Sequence, residues 1–180
     1  MNEKEEAPRK EIWRVQAEVA AFMQAAQKFC SVIENPAADL RIWIKDVLLS
    51  TAVLYTVGLA LSQIPTPEIT DVETERQPIE QWQELYNHLS TLLREKRWYA
   101  CVSFETHPAH QVQKQLYGDL ADDLADIYRD VITGLRRWNT TADEYLGDIV
   151  WDWQFHFIHH WGDDHAAAAL RYLHYLVFSS

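Results

Sequence analysis

No proline lies between Pro36 and Pro65, or anywhere after Pro108. Proline removes a backbone donor and clashes with the preceding helical turn, so it ends or kinks a helix. The two proline-free stretches therefore leave room for long unbroken helices, and the apolar residues along the chain recur with the helical period. Ile12, Val15, Val19, Phe22, Met23, Ala26, Phe29, Cys30 and Ile33 step by three and four, which places them on one helix face. This predicts helix one over about Lys10 to Glu34. Asn35-Pro36 punctuates the chain and opens helix two, which runs from about Ala37 to Ser62. Helix three starts near Pro78, with Ile79, Trp82, Leu85, Tyr86, Leu89, Leu92 and Leu93 as its stripe. Helix four begins after Pro108 and reaches Trp138. Thr141 with Glu144 fits a capping box for helix five, which ends at Gly162, and a last helix covers Asp163 to Val177. The segment Trp98 to Phe104 is aromatic and β-prone, finds no partner strand, and is expected as packed irregular structure.

These elements describe an all-α fold: one domain over residues 1–180, a bundle of five or six mostly antiparallel helices. A charged tail is expected to fray at 1–9 and a long acidic loop to span 64–77. The formal net charge of -11 argues against non-specific nucleic-acid binding and against docking on anionic lipid. The apolar stretch Val47 to Leu61 is shorter than the roughly 20 residues needed to span a bilayer, so it reads as a core helix. Met1 to Lys10 lacks the apolar stretch of a signal peptide, and a cytoplasmic address is the default expectation. Cys30 and Cys101 form no zinc or redox motif and read as buried thiols.

The most informative stretch is Gly118 to Asp130. On a helix, at about 100° per residue, Asp119, Asp122, Asp123, Asp126 and Asp130 share one side. Leu116, Leu120, Leu124, Ile127, Tyr128 and Val131 take a separate, wider arc. Like charges at this spacing repel by a few tenths of a kcal/mol per pair when solvated, and by more when partly buried. Two arrangements relieve that repulsion. One is a solvated face neutralised by Arg129, Arg136, Arg137 or a neighbouring helix. The other is a divalent cation such as Mg2+ or Mn2+, held by carboxylate oxygens. Asp122-Asp123-x-x-Asp126 resembles the aspartate-rich motif of isoprenoid diphosphate synthases, but the second acidic motif of those enzymes is missing.

A second constellation runs from Trp151 to His165. Asp152, His156 and His160 recur at four-residue steps and share a face, and His156 with His160 has a spacing compatible with two imidazoles on one ion such as Zn2+. The surrounding Trp151, Trp153, Phe155, Phe157, Ile158 and Trp161 are core-type residues, among which a hydrogen-bonded structural histidine is the plainer expectation. No GxSxG elbow and no glycine-rich phosphate loop is present.

Three segments carry a family resemblance: Phe29 to Glu34, Leu120 to Asp130, and His160 to His174. They resemble the signature segments of a bacterial domain-of-unknown-function family, number 5063, with His159 and the doubled Asp163-Asp164 as departures from its pattern. The resemblance implies an all-α fold in a bacterial cytosolic protein and brings no assigned activity.

Two functions follow as expectations. A partner-binding or scaffold module, binding another protein or self-associating, accounts for the acidic surface, the tryptophans and the missing catalytic motif. A divalent-metal-dependent enzyme of phosphohydrolase type would use Asp119, Asp122, Asp123, Asp126 and Asp130 with His156 and His160. The first predicts an exposed apolar patch and no gathering of Asp with His; the second predicts that at least three of these side chains converge.

Overall fold

A computed structural model describes residues 16–65, 77–102 and 115–179. Its helices are α1 (Ala17–Glu34), α2 (Leu40–Leu61), α3 (Ile79–Leu93), α4 (Leu120–Trp138), α5 (Leu146–His156) and α6 (Ala167–Phe178). A π-helical segment, Phe157–Ala166, joins α5 to α6. Strands β1 (Trp98–Val102) and β2 (Gln115–Asp119) form a small antiparallel ladder between α3 and α4. The all-α bundle expected from the periodicity is therefore the fold, with a two-stranded addition. The expected tail at 1–9 and most of the 64–77 loop lie outside the described residues.

α4 is the central element. It packs against α1, α3, α5 and the π segment. Leu120, Leu124, Ile127 and Val131 are fully buried, and each such side chain contributes about 1.5–3 kcal/mol through burial. Trp153 on α5 donates its indole N–H to the Val131 carbonyl at 3.3 Å. Its ring lies against Gly134, where a Cβ would meet the indole at 2.4 Å. On the other side, Trp43 of α2 donates to the Val32 carbonyl of α1 at 2.9 Å, locking that helix pair. Gln154 closes the end of α2 by donating to the carbonyls of Leu61 and Ile64.

Several boundaries differ from the sequence expectation. Helix two opens at Leu40, not near Ala37, because the Asp39 carboxylate accepts from the Arg41 and Ile42 amides. Asn35 instead ends α1, donating its backbone N–H and side-chain amide to the Ser31 carbonyl. Helix four begins at Leu120, not after Pro108. Gln115–Asp119 is a strand, and its partner is Trp98–Val102, with Trp98 opposite Asp119 and Ala100 opposite Tyr117. The pairing is non-local, so neither short segment signals it alone. α5 begins at Leu146 after a 3-10 turn at Asp143–Tyr145, and no side chain caps it. Gly162 does not end a helix: the chain continues through it with π winding.

α2 is longer than its apolar stretch suggested. It has 22 residues, and with a mean hydropathy of 1.6 over an 18-residue window it is long and apolar enough to cross a bilayer by length and composition alone. Here it packs along α1 and α6. Trp43, Ile44, Val47, Leu54 and Leu61 are buried, and Ile42, Leu49 and Val53 are exposed.

Candidate functional site

Asp119 is the N-cap of α4: its carboxylate accepts from the Ala121 amide at 3.0 Å. It also receives the Arg97 guanidinium at 3.1 Å and the Tyr86 hydroxyl at 3.2 Å. Arg97 lies across the Trp98 indole, 4.2 Å from the ring centroid. This residue therefore serves the helix start, where a carboxylate also complements the helix dipole.

The next carboxylates on α4 meet the π segment and α3. Asp123 is buried. It accepts from the Tyr99 hydroxyl through one oxygen and bonds His165 Nδ1 through the other, at 3.0 Å. Asp126 accepts the Trp82 indole N–H of α3 at 2.7 Å, and its second oxygen lies 3.6 Å from His165 Nε2. Asp130, also buried, bonds His160 Nδ1 at 2.7 Å. The two imidazoles face one another edge to face, with ring centroids 4.8 Å apart. Asp122 flanks Asp126 on the half-exposed side. Among the described residues, Asp126, His160 and His165 are the set able to share an ion: one donor atom from each lies within 4.8 Å of the others.

The stripe's repulsion is thus relieved chiefly by histidines, not by arginines of α4. The electrostatics follow. The hydrogen bond that His160 donates to the Asp130 carboxylate raises its pKa above the ordinary value. Burial pulls His165 down, but the Asp123 hydrogen bond and the charges of Asp123, Asp126 and Asp122 outweigh it, and the net shift is upward. Burial pushes the Asp123 carboxyl above the usual carboxylate range against the opposing pull of His165 and Tyr99. Asp122 is raised by partial burial and then by the neighbouring Asp126 charge.

Each imidazole is held by its Nδ1 on a carboxylate. In the neutral tautomer that donates Nδ1–H, the Nε2 lone pair is free to ligate. Metal-binding histidines are commonly oriented in this way by a second carboxylate. Asp126 then supplies an oxygen to the same point. Donors on one ion of zinc type lie at most about 4.2 Å apart, twice a bond of ~2.1 Å, so an ion would draw this set slightly inward.

His156 is placed elsewhere. It is buried on α5, its Nδ1 2.8 Å from the Asp152 carbonyl and 3.4 Å from the Asp152 carboxylate. Its ring centroid is 6.4 Å from that of His160. The expected HxxxH pairing is therefore replaced by His160 with His165. His165 escaped the sequence reading because residues five apart share no face in an ordinary helix. Of the expected residues, the structure gathers Asp123, Asp126, Asp130 and His160, with Asp122 beside them, and leaves Asp119 and His156 outside.

None of the curated proteins matches the chain. Among solved structures it is similar to protein BF1032 from Bacteroides fragilis. The TM-score is 0.74 at 23% identity, with 92% of this chain and 95% of that one covered, which is a likeness of fold. The model of a domain of unknown function, DUF5063, matches residues 14–179, and the chain belongs to that family.

Proposed function

We propose that the protein binds a divalent transition metal at Asp126, His160 and His165 and uses it in hydrolytic, phosphohydrolase-like chemistry. The observation that carries this reading is the carboxylate on each Nδ1: Asp130 holds His160 and Asp123 holds His165. A third carboxylate, Asp126, brings an oxygen within 4.8 Å of a ring nitrogen of each histidine. Two imidazoles and one carboxylate suit Zn2+, Mn2+, Fe2+ or Co2+ better than Mg2+, which prefers oxygen. Three protein donors leave coordination positions for water or substrate, the pattern of a catalytic rather than a structural site. A bound ion of this kind makes water acidic enough to attack near neutral pH. Asp122, whose carboxyl is raised by partial burial and by the Asp126 charge, would be the proton-exchanging group of this reading.

The scaffold reading, made on the acidic surface, the tryptophans and the missing catalytic motif, expects an exposed apolar patch, and Ile42, Leu49 and Val53 are exposed on α2. It predicted no convergence of Asp with His, and on that ground the metal reading is preferred.

The test is a thermal melt of chelator-stripped protein with Zn2+, Mn2+, Co2+ and Mg2+, beside Asp126→Ala. A ligand that binds only the folded state raises the melting temperature, by about 2.7 kcal/mol of stability at one hundred times its Kd. A rise with the transition metals that disappears in Asp126→Ala supports the site. No rise with any of the four ions overturns it.

A further inference from the structure

His160 and His165 are five residues apart. With α winding each residue advances by about 100°, so residues five apart lie about 140° apart around the axis and face different sides. Their rings are nevertheless in contact, with centroids 4.8 Å apart. The reason is the winding of Phe157–Ala166, whose ten residues form a π-helix. In a π-helix the hydrogen bond spans five residues, so residues five apart stack along one side. Such winding is mostly confined to single turns and is frequent at functional sites.

Gly162 sits inside this segment and is buried. A Cβ at that position would lie 2.2 Å from the Phe157 carbonyl oxygen, the atom five residues back, and 3.0 Å from two carbons of the Phe157 ring. Phe157 has little room to retreat. Its ring packs on Trp161 at 4.9 Å and on Tyr55 at 5.5 Å, and it covers Gly58 of α2 so closely that a Cβ there would meet it at 2.7 Å. Any side chain at position 162 must therefore open the backbone between Phe157 and Gly162.

We propose that Gly162 is the positioning residue of the metal centre: it permits the π winding that puts His160 and His165 on one side, and metal binding is thereby coupled to that winding. The inference rests on the reading of Asp126, His160 and His165 as ligands. In the α register His165 turns away from Asp123 and Asp126, and the third donor is lost.

The probe is Co2+, whose visible absorption reports coordination directly, titrated into the chelator-stripped full chain. Wild type is expected to bind. Gly162→Ala is expected to bind about 10- to 100-fold more weakly, the loss typical of disoriented ligands, with an altered visible spectrum and a cooperative melt. Gly58→Ala presses on the same Phe157 ring from outside the segment and is expected to lose stability but keep wild-type Co2+ affinity. The double variant Asp164→His, His165→Ala keeps Gly162 and moves the imidazole to position 164, whose side chain is exposed in this winding; it is expected not to bind. Wild-type affinity in Gly162→Ala, an equal loss in Gly58→Ala, or tight binding by the double variant overturns the proposal. Absence of Co2+ binding by wild type itself would instead remove the metal reading on which it rests.

Discussion

Asp123 joins Tyr99 of β1 to His165 of the π segment, one carboxylate oxygen to each. Tyr99 reaches it because Gly118, opposite in the ladder, leaves space for the ring: a Cβ there would fall 2.2 Å from the Tyr99 ring. The small sheet thus holds one end of the Asp–His pairing. Tyr99→Phe removes the hydroxyl and leaves a buried carboxylate short of a donor, at a cost of about 1.5–3 kcal/mol. Urea unfolding should show a lower midpoint with an unchanged slope. A midpoint equal to wild type would mean that the hydroxyl adds nothing to holding Asp123.

The pH dependence follows from His160 and His165, whose pKa values are raised in the folded state. A raised folded pKa gives stability that is fully present below the unfolded value, about 6.5 for histidine, and is lost as pH rises through the folded value. The metal-free protein should therefore melt lower at about pH 9 than at about pH 6. Metal affinity should move the opposite way, because an ion competes with the proton on Nε2. Melts of stripped and Zn2+-loaded protein should coincide at the acid end and separate at the alkaline end. Asp130→Asn should flatten the His160 contribution; an unchanged profile in that variant would show that the pair does not set it.

His156 and His165 should separate cleanly by substitution. His156 is buried against Asp152 within α5, so His156→Ala should cost about 1–3 kcal/mol of stability and leave Co2+ affinity alone. His165→Ala should abolish Co2+ binding. Calorimetric titration of both variants decides the matter, and loss of binding in His156→Ala would bring that imidazole back into the ligand set.

Gly134→Ala tests the packing of α4 on α5. The added methyl would meet the Trp153 indole at 2.4 to 2.8 Å, while that indole is held by its hydrogen bond to Val131 and by stacking on Trp138 at 5.7 Å. Overpacking of this kind costs about 1–3 kcal/mol. The midpoint of chemical unfolding should fall accordingly, and a neutral result would show that Trp153 has room to move.

The fold class was legible because helix formation is mostly a local matter. The apolar periods of α1, α3 and α4 and the placement of the prolines are properties of neighbouring residues, and no distant contact is needed to read them. Five aspartates on one side of α4 were legible for the same reason. Only the tertiary structure decided what that side faces. The pairing of Trp98–Val102 with Gln115–Asp119 joins a β-prone segment to one whose sequence reads as helix, and it moved Asp119 from the stripe to the helix cap. The partner of the stripe was hidden more deeply. His165 joins His160 only because Phe157–Ala166 winds in the π register. Within it Gly162 lies so close to the Phe157 carbonyl oxygen, five residues back, that a Cβ there would fall 2.2 Å from it. A sequence fixes the period of an ordinary helix by local geometry, whereas a departure from that period is imposed by packing from elsewhere in the chain.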